Sequence, residues 1–218
     1  MNLENFKNKT AKILLEIKAI NIDIKKHFKL TSGKFSPVYV DCRKIISHLK
    51  ERRMIIDMAC KLLKKEVNLK KIDFIAGGET AGIPYASLLS EKLNKPMIYI
   101  RKKPKGFGIN KQIEGYFKNN QEAILIEDLA TDGGSKVIFV EAMRNAGLVV
   151  KDIFVIFYYD IFNFHESALS KLNVNIHSLC TWRDIIEALE KKELFNSKDI
   201  NSLKNFLSNP SKWRKENE

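Results

Sequence analysis

Ala123-Ile-Leu-Ile-Glu127-Asp128-Leu-Ala-Thr131-Asp-Gly133-Gly134-Ser135-Lys136 is the stretch whose reading decides the fold. Residues 123–126 are continuously apolar, the pattern of a strand covered on both faces, and Glu127 and Asp128 follow at its carboxyl end. Thr131 to Ser135 are small and polar, a turn where backbone amides lie open to a ligand. Val137, Phe139, Val140, Ala142 and Met143 then mark the buried side of a helix that Gly147 stops and that Asp132 or Ser135 caps. A helix entrance of this kind carries unpaired N–H groups and a positive dipole end, so it is suited to phosphate.

Two adjacent carboxylates beside a phosphate cradle would repel the anion if they faced it. They fit if they face sugar hydroxyls or a hydrated Mg2+, and a phosphorylated ribose supplies these partners together. The arrangement resembles the signature of the type I phosphoribosyltransferases, in which two acids after an apolar strand precede a Thr/Gly-rich loop. The resemblance implies that Glu127, Asp128, Leu129, Ala130, Thr131, Asp132, Gly133, Gly134 and Ser135 bind phosphoribosyl pyrophosphate.

Outward from this stretch, the 218 residues suffice for one domain, and the 44% apolar content with alternating strands and helices indicates an α/β protein. No run approaches the roughly 20 apolar residues of a membrane span. Cys42, Cys60 and Cys180 lack metal spacing and suit free thiols, so a cytoplasmic location without a secretory leader is expected. The net charge of +12 admits nucleic acid or a highly phosphorylated small molecule. Much of the excess is lysine on amphipathic segments, and no aromatic RNA-binding strand, paired-Cys finger or arginine-rich arm is present. Nucleic acid and membrane are therefore not expected as partners.

Toward the N-terminus, residues 3–20 read as a helix. The segments flanking Ser32-Gly33-Lys34 read as two short strands joined by a turn. Leu30-x-Ser32-Gly33-x-x-Ser36-Pro37-x-Tyr39-x-Asp41-x-Arg43 is similar to the N-terminal region of orotate phosphoribosyltransferases, where it forms a flap over the pyrimidine. On this resemblance Lys34, Tyr39 and Arg43, with Thr131, are the orotate-binding candidates. A second helix over 50–66 and a strand over 72–76 lead into Gly77-Gly78-Glu79-Thr80-Ala81-Gly82-Ile83-Pro84. Its Gly-x-x-x-x-Gly spacing lacks the Lys-Ser/Thr of a nucleotide-triphosphate loop. In the family the equivalent loop, here Gly77, Gly78, Glu79 and Thr80 with Gly82, embraces pyrophosphate.

The strand over 96–100 runs into Arg101-Lys102-Lys103-Pro104-Lys105-Gly106-Phe107-Gly108, a basic loop. Cations that arrive on closure would stabilise departing pyrophosphate. In the family this loop is a catalytic hood reaching a neighbouring subunit. The resemblance therefore implies a homodimer, with Arg101, Lys102 and Lys105 on the leaving group and Lys102, Arg101 and Asp128 as catalytic residues. The four histidines lack metal-ligand spacing, and Mg2+ is expected mainly through the substrate.

Beyond Gly147, strands over 149–159 and 174–179, a short helix over 166–172 and amphipathic segments around 182–194 and 199–207 follow, and 210–218 read as a frayed tail. The expected architecture is a single domain over 1–218: a flap region over 1–48, a core over 49–180 and C-terminal helices over 181–209. Its centre is a five-stranded, mostly parallel sheet flanked by helices, the type I phosphoribosyltransferase fold with a small N-terminal flap, and the ligand crevice lies at the strands' carboxyl ends.

The resemblance spans residues 28–160 and implies an orotate phosphoribosyltransferase of pyrimidine synthesis. The alternatives are a transferase for another base, which lacks the Ser-Gly-x-x-Ser-Pro flap, and a non-catalytic sensor of phosphoribosyl pyrophosphate. Better-known members carry lysine at the positions of Thr31 and Ala81, histidine at Phe107 and arginine near Asp160–Asn163. Those differences concern the base and the proton donor, and they leave the ribose-phosphate signature intact.

Overall fold

The computed structural model describes residues 3–29, 33–104, 112–131, 133–161, 169–192 and 195–217. The chain forms two compact units, Met1–His48 with Cys180–Glu218, and Leu49–Leu179.

The larger unit opens with α2 (Leu49–Glu66), whose Ile55, Ile56, Ala59, Leu62 and Leu63 recur at helical spacing and are buried. After it come β5 (Phe74–Gly78), α3 (Gly82–Leu93), β6 (Met97–Ile100), β7 (Ile113–Glu114), β8 (Glu122–Ala130), α4 (Gly134–Asn145) and β9 (Val149–Tyr158). With β10 (Asn175–Thr181), which runs through the boundary between the units, the strands form a sheet in the order β10-β9-β8-β5-β6-β7. Pairings β5–β6, β5–β8 and β8–β9 are parallel and β6–β7 is antiparallel. The sheet thus has six strands where five were expected, because the two-residue β7 closes one edge as a hairpin too short to read in the sequence.

The β5–β6 and β8–β9 connections run in opposite directions across this order. Right-handed crossovers therefore send α3 and α4 to opposite faces. The two glycines of β5 bear this out: a side chain on Gly77 would strike Ile83 and Ala86 of α3, and one on Gly78 would strike Phe139 of α4. On the α4 face, Phe139, Val140 and Met143 pack in one cluster with Ala76, Leu125 and Val155. Leu148 N–H donates to the Met143 carbonyl and Gly147 N–H to that of Arg144, so α4 stops at Gly147 as the sequence indicates. Of the short helix expected over 166–172, only the single 3-10 turn Ser170–Leu172 lies among the described residues.

The smaller unit joins the two ends of the chain. Helix α1 (Leu3–Glu16) stops short of residue 20, because Lys18 takes a left-handed conformation and β1 (Ile20–Ile22) begins. β1 pairs antiparallel with β4 (Val38–Val40). β2 (Phe28–Lys29) and β3 (Phe35–Ser36) form the expected short hairpin, with Phe28 opposite Ser36. Helices α5 (Trp182–Lys192), α6 (Ser197–Ser208) and α7 (Pro210–Asn217) complete the unit, and α5 packs on α1. The tail read as frayed is helix α7. Asn209 caps it, its side-chain oxygen accepting from the Lys212 amide at 2.9 Å, Pro210 opens its first turn, and Trp213 is buried.

Candidate active site

β5, β6 and β8 are parallel neighbours, so the turns that leave their carboxyl ends meet at one edge of the sheet. β8 is longer than its apolar run suggested and continues through Ala130. Glu127 and Asp128 are therefore rungs of the ladder, not residues beyond it, and are only 5% and 7% exposed. The cap on α4 also differs from expectation. Gly133, at φ +87°, occupies the N-cap position without a side-chain hydrogen bond, and its carbonyl accepts from Lys136 and Val137. A side chain there would need an unfavourable left-handed backbone and would overlap Leu169; the N-cap is thus this glycine and not Ser135, while Asp132 lies outside the described residues.

Sequence reasoning missed Lys136. From the first turn of α4 its Nζ donates to Glu127 Oε2 at 2.7 Å and to Ser135 Oγ at 3.1 Å, and it is as buried as its partner. The available signal was a charged residue on the apolar side of the helix, one turn ahead of Val140. Burial pushes the Glu127 carboxyl up to about 7; Lys136 opposes the rise, Asp128 adds to it and Lys102 opposes it. Glu127 Oε1 is buried without a hydrogen-bond partner among the described residues. It sits where a side chain on Gly78 or on Gly82 would be, 2.5 and 2.6 Å from the position a Cβ would take. These two glycines let the turn after β5 close over the carboxylate.

That turn is stitched to the β6 edge. Glu79 N–H donates to the Ile100 carbonyl at 2.9 Å, and Glu79 Oε2 accepts from the Lys102 amide at 2.8 Å. The Glu79–Thr80 peptide is cis. Of the basic loop, Arg101 is held on the hairpin, its Nε donating to Glu114 Oε1 at 3.0 Å with the guanidinium over Tyr99. Lys102 is exposed. Lys105 and Phe107 lie outside the described residues, as do Thr31, Asp132 and Asn163. Asp128 Oδ1 accepts from the Leu129 amide at 2.8 Å.

The structure thus groups Gly77, Gly78, Glu79, Thr80, Lys102, Glu127, Asp128 and the β8–α4 turn within the larger unit. Lys34, Tyr39 and Arg43 belong to the smaller unit. There Lys34 is exposed, and Arg43 donates from Nε to Asp41 Oδ1 at 2.8 Å and from a terminal nitrogen to the Tyr39 hydroxyl at 3.4 Å.

Among the described residues no group of three or more His, Cys, Asp or Glu side chains could hold a metal ion. The carboxylates of Asp128 and Glu79 still suit Mg2+, which takes one or two protein oxygens, keeps water and binds substrate phosphates. No described helix is long and apolar enough to cross a membrane. All three cysteines are free and buried, and burial pushes the Cys60 thiol up to about 11.

No family model matches the chain. It is 44% identical over 208 residues to the orotate phosphoribosyltransferase of Roseobacter denitrificans, covering 95% of this chain and 92% of that one. To the enzyme of the same name from Rhizobium rhizogenes it is 43% identical over 203 residues, 93% and 88% of the two chains. The orotate phosphoribosyltransferase structure from Aeropyrum pernix superposes with a TM-score of 0.70 at 27% identity, over 85% of this chain and 99% of that one. The UMP synthase of Leishmania donovani aligns with a TM-score of 0.75 at 29% identity. The match takes in 92% of this chain and 42% of that longer one. By the identity and coverage of these relatives, the chain belongs to the orotate phosphoribosyltransferase family.

Proposed function

We propose that this protein transfers the ribose 5-phosphate of phosphoribosyl pyrophosphate to orotate, giving orotidine 5′-phosphate and pyrophosphate in de novo pyrimidine synthesis. The observation that carries the reading is the β8–α4 junction, where two buried acids precede a glycine-capped helix entrance. In the reaction the C1–O bond to pyrophosphate breaks and a C1–N bond to the base forms. The proton displaced from the ring nitrogen goes to the departing pyrophosphate or to solvent.

As C1 acquires oxocarbenium character, positioning and charge stabilisation carry the rate. The amides from Thr131 to Ser135 hold the 5′-phosphate at the positive end of α4. Asp128 and Glu127 accept the ribose hydroxyls, and Lys136 keeps Glu127 ionised enough to do so. The turn Gly77–Thr80 lies along the pyrophosphate. Lys102, Lys105 and Arg101 neutralise it as it leaves, Arg101 exchanging Glu114 for the anion. Lys34, Tyr39, Arg43 and Thr131 address orotate. Mg2+, when bound, neutralises pyrophosphate charge, and Asp128 with Glu79 would hold its water shell.

The working form is a cytoplasmic homodimer in which the basic loop serves the neighbouring site. Free thiols suit that compartment. Pyrophosphate release measured with orotate, uracil and hypoxanthine in parallel tests the assignment, and turnover with orotate alone is expected. Turnover with hypoxanthine would reassign the base, and release with none of the three would favour a sensor.

A further inference from the structure

The proposed pyrimidine flap has a buttress at the opposite end of the chain. The β2–β3 hairpin consists of two residue pairs, Phe28 with Ser36 and Lys29 with Phe35. A ribbon that short has no independent stability in water. Helix α7 grips both of its strands. Trp213, 6% exposed, sets its ring edge-on at 4.7 Å from His27, the residue that enters β2, and at 5.2 Å from Phe206 of α6. His27 is fixed in turn by a hydrogen bond between Nε2 and the Ile24 carbonyl at 3.0 Å. On the other strand Arg214 Nε donates to the Phe35 carbonyl at 3.0 Å, and its guanidinium lies 5.9 Å over Phe206. Phe28, next to His27, packs at 6.1 Å from the ring of Tyr39. An aromatic and hydrogen-bonded chain thus runs from α7 through both hairpin strands to one of the orotate candidates.

We propose that α7 is a strap that sets the hairpin for the base, with Trp213 and Arg214 as positioning residues for orotate. The inference rests on the assignment of Lys34, Tyr39 and Arg43 to orotate given under the proposed function. Its chemistry explains the uneven composition of α7: a polar helix carries one buried tryptophan, with an arginine beside it. An aromatic edge contact and one charge-assisted hydrogen bond to a carbonyl suffice to choose between a formed and an open two-pair ribbon.

The test compares Trp213→Ala, Arg214→Ala and the conservative Trp213→Phe in the full chain, by steady-state kinetics and by hydrogen exchange. Trp213→Ala is expected to raise the KM for orotate about tenfold, while the KM for phosphoribosyl pyrophosphate and kcat stay within about threefold. Exchange at Phe28, Lys29, Phe35 and Ser36 quickens, that at Ile124–Ile126 of β8 does not, and Trp213→Phe restores both readouts. Should Trp213→Ala fail to fold, the half-buried Arg214 gives the same test with a smaller change. Unaltered exchange in the hairpin overturns the strap. Faster exchange with an unchanged orotate KM overturns the role in the base site but leaves orotate turnover, and hence the enzyme assignment, standing. An absence of orotate turnover in the unmodified protein removes the enzyme assignment itself, independently of what the exchange shows.

Discussion

Replacing Lys136 with methionine keeps the length and packing of the side chain and removes the ammonium that faces Glu127 at 2.7 Å. In the unmodified protein burial pushes the Glu127 carboxyl up from the usual 4.5 to about 7. Between those values the folded chain holds a proton that the unfolded chain has released, so stability falls as pH rises through that window. The gap corresponds to about 3 kcal/mol once pH exceeds 8. Without Lys136, burial acts on the carboxylate almost unopposed. At pH 9 the variant must bury an uncompensated charge or hold a proton far above its usual range, either of which costs about 3–5 kcal/mol. For a chain of this size that lowers Tm by about 10 °C. At pH 5 Glu127 is neutral in both proteins, and the variant is spared a buried, unpaired ammonium. The difference should there vanish or change sign. Thermal unfolding at the two pH values is the assay, and an equal loss at pH 5 and pH 9 would refute the coupling.

Three further outcomes are expected. Asp128→Asn should lower kcat by roughly 100-fold with Tm nearly unchanged; pyrophosphate release and calorimetry on one preparation decide it, and a near-normal rate removes Asp128 from the chemistry. Gly133→Ala should cost about 3 kcal/mol or more from overlap with Leu169 plus the left-handed backbone. In a Leu169→Ala background, which carries its own truncation cost because Leu169 is buried, the same glycine change should cost only the backbone penalty of about 1–2 kcal/mol, as urea unfolding of both single variants and the double variant would show. His177 faces Glu66 at 2.9 Å through Nδ1 and Asp152 at 2.8 Å through Nε2. His177→Ala removes the ring that bridges these two carboxylates and should lower stability by about 1–3 kcal/mol in urea unfolding at neutral pH.

The parallel frame was legible because its strands are nearly pure apolar runs followed by glycine-rich turns. Residues 123–126 and 153–159 admit no other reading in a chain of this composition. The extension of β8 to Ala130 was hidden because Glu127 and Asp128 are charged, and a lone sequence does not show that Lys136 lies across from one of them. Strands of two or three residues such as β2, β3 and β7 fall below any periodicity, and only Gly33 and the residues around it marked the first pair. The tail failed for a different reason: its mean composition is polar, so one buried tryptophan carried no weight beside five charged neighbours. Asn209-Pro210 is nevertheless an N-cap followed by a first-turn proline, and the start of α7 could have been read from that pair alone.

The smaller unit takes its first helix from the start of the chain and its last three from the end. During synthesis the parallel sheet can therefore close while the ribosome is still at work. The apolar side of α1, with Phe6, Ile13 and Leu14, must wait for α5 to emerge and cover it. Stalled or prematurely terminated translation would release molecules whose parallel sheet is folded and whose other unit is sticky, the kind of intermediate that chaperones hold.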